Sequence, residues 1–320
     1  MRRVTMAKTR LIGFSAAAAW LLLATTAPAS ADGLAQFKKS IEPQIPAGTF
    51  TYKSAKALGD NGFMLSDVVV TPPASDDKAK PEPIDIKTIT VEDLDFDSIG
   101  KQQPPLFAKL KFDGITTGST AGGFDLKQMA GVDNVAADFG IDYKLDGDKK
   151  TFTLKRMELN LNGLAKLETS FVVDGVDAAA IAKPDEAMND ASLKTANIVY
   201  DDHSLLAKAI PIAAAMQSSD PKALVAMAIT VLDGARSGQS KAAQKAIDSL
   251  VAFVEDYQKP KGPLTIALNP PEKVSNAELT DAKSADDYMK LLGIQVSYAG
   301  TRSSTPTEVP ADDTPAKKKE

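Results

Sequence analysis

Cysteine is absent from this chain of 320 residues, and histidine occurs once, at His203. Without cysteine there are no disulfides, iron–sulfur clusters or thiolate zinc sites, and one histidine cannot build a histidine-rich metal centre. An excess of positive charge is also missing: Lys and Arg number 37 against 42 Asp and Glu, a net charge of -5. Arg2, Arg3, Lys8 and Arg10 are the only charged residues among the first 31, so the remainder is more acidic still. That balance excludes nucleic acid as an expected partner, because such binding rests on neutralised phosphates. Aromatic residues make up 6%, and the single Trp, Trp20, stands near the start. Secreted carbohydrate enzymes usually line their sites with aromatic rings, and this chain has few to offer. Phosphate-cradling glycine loops and the G-x-S-x-G turn are missing too: Gly100-Lys101-Gln102 has neither the glycine run nor a hydroxyl after the lysine.

What is present begins with a leader. The basic start is followed by an apolar stretch from Leu11 through Leu21-Leu22-Leu23 to Ala27, and then by Pro28-Ala29-Ser30-Ala31-Asp32. Basic, apolar and small-residue regions in that order read as a secretory signal peptide cut near Ala31. The apolar stretch is shorter than the roughly 20 residues that span a bilayer, and no cysteine follows the cut to carry a lipid anchor. The expected location is the periplasm, with no transmembrane span in the mature chain.

Beyond the leader, Leu34, Phe37 and Ile41 recur at helical spacing before Pro43. From Thr49 to Val173 the period becomes two. Asn61-Gly62, Asp146-Gly147 and Asn162-Gly163 mark tight turns. Between Ile84 and Phe96 the alternation slips phase twice, as bulges would produce. In the clearest segment Val135, Ala137, Phe139, Ile141, Tyr143 and Leu145 share one face, and Asp138, Asp142 and Lys144 the other. One apolar and one wet face predict an antiparallel meander.

After Asp177 the chain turns Ala-rich. A short strand is expected at Ala196–Tyr200. Helices are expected over Ser204–Gln217, kinked or divided by Pro211, then from Asp220-Pro221 through Leu232, and along Ala243, Ile247, Leu250, Val251 and Val254. Strands at Leu264–Leu268 and Ile294–Tyr298 flank a helix from Ser284 to Leu292, with Gly293 as its terminator. The fold class is therefore α+β: a twisted antiparallel meander of about 8–10 strands, with an inserted helical subdomain packed on one face. The expected organisation is a signal peptide at 1–31 and an N-terminal helix with antiparallel sheet at 32–177. A helical insertion follows at 178–260, a strand–helix–strand return to the sheet at 261–301, and a disordered tail at 302–320.

Three clusters invite a chemical reading. Asp201-Asp202-His203-Ser204 places a base beside carboxylates, yet adjacent residues do not face one another, and the same types cap helices. Asp93, Asp95 and Asp97 would share a strand face and could attract Ca²⁺, but the calcium-loop pattern fails at Ser98 and Pro104. Ser219-Asp220-Pro221-Lys222 has the S-x-x-K spacing of penicillin-recognising enzymes without its companion motifs. No catalytic residue, metal ligand or cofactor is assigned, and the chain is read as not an enzyme. The other feature is the surplus of apolar residues on the helices. Leu205, Leu206, Ile210, Leu224, Met227 and Ile229 are the candidate ligand-binding residues, either covering a lipid-sized cavity between sheet and helices or simply packing a core.

Two segments carry a resemblance: Ala196-Asn197-Ile198-Val199-Tyr200-Asp201-Asp202-His203-Ser204-Leu205-Leu206, and Leu264-Thr265-Ile266-Ala267-Leu268-Asn269-Pro270-Pro271 followed by a helix and the strand at Ile294. Both resemble uncharacterised secreted proteins of alphaproteobacteria. The stretch with Leu159, Leu161 and Gly163 is loosely similar to the β-repeats of YdgA- and AsmA-type envelope proteins. The resemblance implies an envelope location and a lipid-linked role, and carries no catalytic residue over. The functional expectation is a non-enzymatic periplasmic protein that binds a lipid or other apolar small molecule. Its alternative is an envelope scaffold docking another envelope protein; a hydrolase using separated carboxylates comes third.

Overall fold

A computed structural model describes residues 32–72, 82–117, 136–177, 191–274 and 276–300. The expected signal peptide, most of the charged loop after Pro72, the Gly- and Thr-rich link, the first Ala-rich stretches and the tail lie wholly or mainly outside these residues.

Eleven strands form one antiparallel sheet: β1 Phe50–Thr51, β2 Ser54–Ala57, β3 Phe63–Val70, β4 Ile84–Leu94, β5 Phe107–Thr117, β6 Ala136–Asp146, β7 Thr151–Leu161, β8 Ala165–Asp174, β9 Ser192–Asp202, β10 Leu264–Leu268 and β11 Ile294–Ser297. From β3 to β11 each strand lies beside the next in sequence, while β1 and β2 both pair with β3. This is the expected meander, slightly larger than expected. β9 differs most from its expectation. It runs for eleven residues, not five, and ten of them pair with β8 from Asp174↔Ser192 to Ala165↔Asp202. Its first half, Ser-Leu-Lys-Thr, has little apolar alternation, so pairing with a long neighbour extends it beyond its own propensity.

The register puts the apolar residues of all these strands on one side. Leu65, Ile89 and Phe112 stand in one row, and Phe112, Phe139, Leu159, Leu167 and Tyr200 continue it. The two phase slips of β4 have different fates. Between Ile86 and Ile89 the slip is matched by Leu65–Val68 on β3, and the pairing stays in register. Between Val91 and Leu94 the register itself shifts. Asp67 and Gly114 take positive φ where the neighbouring strands rephase. A side chain on Gly114 would also press on Cβ of Lys87 at 2.9 Å.

Helices close the two ends of this apolar face. At the start, α1 (Gly33–Ser40) lays Phe37 on Phe63 with ring centroids 4.5 Å apart. With the short helix α2 (Phe96–Gly100) it covers a core that includes Leu65, Val68, Ile89 and Ile99. Between β9 and β10 come α3 (Leu205–Met216), α4 (Pro221–Gly234) and α5 (Lys241–Glu255). Pro211 lies inside α3 without dividing it. α5 packs on β10 and β11. α6 (Asn276–Asp281) and α7 (Ala285–Leu292) then lead into β11. α7 starts on a reciprocal cap between Ser284 and Asp287 and stops at Gly293, whose φ is 57°. In the middle strands most apolar residues are half-buried, Leu145 and Leu154 being buried, and Tyr143, Phe152 and Phe171 form a row of rings at 5.6 and 5.7 Å.

The opposite face carries charge. Glu158 and Glu168 lie directly across from each other, a pairing that would repel. Arg156 and Lys166 bridge both carboxylates. The Arg156 guanidinium first, and then the Lys166 ammonium, hold the Glu168 carboxyl down from its ordinary 4.5 to about 2. A depressed carboxyl contributes stability above its unfolded pKa and loses it as pH falls toward the folded value. Glu168→Gln is therefore expected to cost up to about 1 kcal/mol at pH 7, after screening of this partly exposed network. The difference between variant and parent should shrink as pH falls from 4.5 to about 2. Urea denaturation across that range checks it, and a difference independent of pH would contradict it.

Candidate functional site

α3, α4 and α5 are apolar on more than the side that meets the sheet. α5 has a single stripe: Ala243, Ala246, Ile247, Val251, Ala252 and Phe253 are buried. Phe253 packs edge-on against Tyr200 of β9 and Tyr298, at 5.9 and 5.3 Å. The Tyr298 hydroxyl donates to Oδ2 of Asp256 at 3.0 Å, tying the end of α5 to the chain after β11. α4 is held from its start by Asp220, whose carboxylate accepts the Lys222 N–H at 2.8 Å while Pro221 opens the helix. One side of α4 meets α5 through Ile229, which is buried with Ile247 and Val251.

The other side of α4 borders an apolar cleft of about 320 Å³. Leu206 and Ile210 of α3 form one wall, Leu224, Met227 and Val231 of α4 another, and Val254 with Tyr257 the third. Ligand pockets span roughly 300–1,000 Å³, so this volume suits one alkyl chain. At its lips Met227 is 56% and Val231 69% exposed, and Met216 at the end of α3 is 75% exposed. Exposed apolar residues that cluster around a cleft, unlike ones scattered singly, mark an interaction surface.

Of the six expected ligand-binding residues, Leu206, Ile210, Leu224 and Met227 line the cleft. Ile229 faces away from it into the packing against α5. Leu205 is half-buried and outside the lining. The cleft lies among the helices, with α5 against β10 and β11, and not between sheet and helices. Val231, Val254 and Tyr257 were not among the expected residues. The apolar stripe of α5 was visible in sequence, but which of its neighbours would leave a gap was not.

The lining offers no carboxylate, amine or imidazole. Its one polar atom of note is the Tyr257 hydroxyl, which accepts from Nε2 of Gln258 at 3.0 Å. The other clusters do not supply chemistry to it. His203 is exposed and 3.4 Å from Oδ2 of the half-buried Asp201. Ser219 and Lys222 are exposed at the α3–α4 turn. Asp95 is buried, where it caps α2 and accepts the N–H groups of Ser98 and Leu106 at 3.1 and 2.9 Å. Among the described residues, no three His, Asp or Glu converge as a metal site.

Asp202 behaves differently from its neighbours. It is 3% exposed. Its Oδ2 accepts the Tyr200 hydroxyl at 2.6 Å and the Leu206 N–H at 3.1 Å. Burial first, and then this carboxylate, push the Tyr200 hydroxyl far above its ordinary pKa. Ser204 stands at the N-cap position of α3, but its Oγ donates to the Gly163 carbonyl, and the carboxylate that accepts a first-turn N–H is that of Asp202.

Residues 158–299 match a family described as an uncharacterized protein. The match runs from β7 to the end of β11 and contains every wall of the cleft as well as Asp202. No curated protein matches the chain.

Two neighbouring residues on α4 separate wall from core. Ile229→Ala is expected to cost about 2 kcal/mol or more, because it opens a hole against Ile247 and Val251. Met227→Ala should stay within about 0.5 kcal/mol, since it removes mostly exposed surface. Chemical denaturation of both variants checks this, and equal losses would contradict the assignment of faces.

Proposed function

We propose that this protein binds, without altering it, an apolar or amphipathic molecule such as a single-chain lipid in the cleft between α3, α4 and α5. The supporting observation is the cleft itself, apolar on all three walls and large enough for one chain. The exposed Met227 and Val231 at its lips add to this, because they would be covered by a ligand and are otherwise left to water. Methionine suits such a site, since its flexible thioether adapts to chains of varied shape. The absence of ionisable groups from the lining favours holding a ligand over transforming it. The basic, apolar and small-residue order of the first 31 residues favours action in the periplasm.

Among the described residues, no helix is long and apolar enough to cross a membrane. A second reading is favoured by Met216, which is exposed yet lies outside the cleft lining. It extends the apolar surface beyond what one ligand would cover, as docking to an envelope protein would require.

Native mass spectrometry of the full-length protein, purified from its host without detergent, tests the first reading. A bound apolar molecule is expected, and Leu224→Asp should release it by placing a carboxylate in the wall. A parent protein that takes up no lipid on incubation would contradict the proposal. So would a Leu224→Asp variant that retains the same cargo.

A further inference from the structure

Among the described residues the exposed large apolar side chains are Met216, Met227, Val231 and Tyr288, and all but Tyr288 fall on the α3–α4 hairpin. On α4 the exposed positions after Lys222 are Ala223, Met227, Ala228, Thr230, Val231 and Gly234. Their helical spacing puts them on one side, opposite the buried Ile229. That side is apolar even at Thr230, whose hydroxyl donates to the Ala226 carbonyl at 2.8 Å and so turns back onto its own helix. A protein partner would find no free side-chain donor there, although protein interfaces carry on the order of one hydrogen bond per 100–200 Å². The interior of a bilayer asks for none.

The charge exposed on these helices is opposite in sign to that of the chain, whose net charge is -5. From Leu205 to Glu255 the exposed charged residues are Lys208, Lys222, Lys241 and Lys245, with Asp220 alone against them. The Asp220 carboxylate is engaged at the start of α4, where it accepts the Lys222 N–H. Of the half-buried acids nearby, Asp248 pairs with Arg236, and Asp286 accepts the N–H and the hydroxyl of Ser240. Lys222 adjoins the apolar side at the start of α4, and Lys241 and Lys245 follow the short turn at its other end. We infer that the α3–α4 hairpin seats this protein on the surface of an anionic lipid bilayer. Met216, Met227 and Val231 enter the acyl boundary, and the lysines stand among the headgroups. Interfacial binding draws on the two contributions found together here, buried apolar area and attraction of cations to anionic lipid. Seating on a bilayer goes beyond the cleft reading and does not require it. If the cleft also holds a lipid, its lips Met227 and Val231 would open it onto the bilayer.

Co-sedimentation of the full-length protein, purified from its host without detergent, with vesicles tests this. The vesicles are phosphatidylcholine alone, or phosphatidylcholine with an equal part of phosphatidylglycerol. Binding to the mixed vesicles should be the tighter. Lys222→Gln and Lys241→Gln should each weaken it about fivefold, the loss expected for one cation near an anionic surface. Neither should change binding to phosphatidylcholine alone. Met227→Ser combined with Val231→Ser should weaken binding to both kinds of vesicle. Lys144→Gln, an exposed position on β6 far along the sheet, should change neither. All five positions are exposed, so each variant should unfold in urea as the parent does. A loss in Lys144→Gln equal to that in Lys222→Gln would overturn the assignment to the hairpin. So would a parent that does not bind the mixed vesicles or does not prefer them, or full binding by the double serine variant. A stoichiometric protein partner from envelope extract, with no binding to vesicles, would overturn it in favour of the second reading above. Lys222→Gln leaves every wall of the cleft in place, so its outcome is separate from that of Leu224→Asp.

Discussion

Everything in this molecule depends on keeping one face of a long antiparallel sheet apolar from the first strand to the last. A strand reverses its faces with every residue, so one uncorrected slip would turn a whole strand inside out. The protein absorbs its slips locally. Leu65–Val68 and Ile86–Ile89 skip together on paired strands, and positive φ at Asp67 and Gly114 lets the backbone do so. Elsewhere a register shift takes the extra residue, as between Val91 and Asp93 or Asp142 and Tyr143. The outcome is a continuous apolar row such as Leu65, Ile89, Phe112, Phe139, Leu159, Leu167 and Tyr200. Its reverse is held by crossed ion pairs around Arg156 and Lys166.

The two ends of that face are closed in different ways. At the first strands α1 gives its whole apolar stripe to the sheet, and Phe37 and Ile41 are buried to 1% and 2% exposure. At the last strands α5 does the same with Val251 and Phe253. α3 and α4 then form a second layer on α5. They have no sheet of their own to cover, so their remaining apolar side chains meet around a gap. Asp202, at the end of β9, accepts the N–H of Leu206 in the first turn of α3. The proposed function follows from this second layer, and the stretch with family similarity contains it entire.

The sheet was legible in the sequence because its signals are local. Alternation, the Asn-Gly and Asp-Gly turns, and the stop at Gly293 each carry their own mechanism, and the structure has a strand over Ala136–Asp146, turns at Asp146-Gly147 and Asn162-Gly163, and the stop at Gly293. β9 was legible only in part, since its first residues are strand through pairing with β8 and not through their own pattern. The helices were legible as apolar, but periodicity does not separate a wall from a core when a helix such as α4 is apolar nearly all round. Leu224 and Met227 went one way and Ile229 the other because of where α5 lies. Asp202 reads as one cap candidate among three. Only the fold distinguishes it from Ser204, by turning the Ser204 hydroxyl toward the Gly163 carbonyl.

The central claim is that α3, α4 and α5 border a standing, open apolar cleft and not a packed interior. Diffraction from crystals of the protein held under xenon gas addresses it directly, because xenon enters dry apolar cavities and leaves filled cores alone. The account predicts a xenon site among Leu206, Leu224 and Tyr257. Crystals that take up no xenon there, with those three side chains in mutual contact, would contradict it.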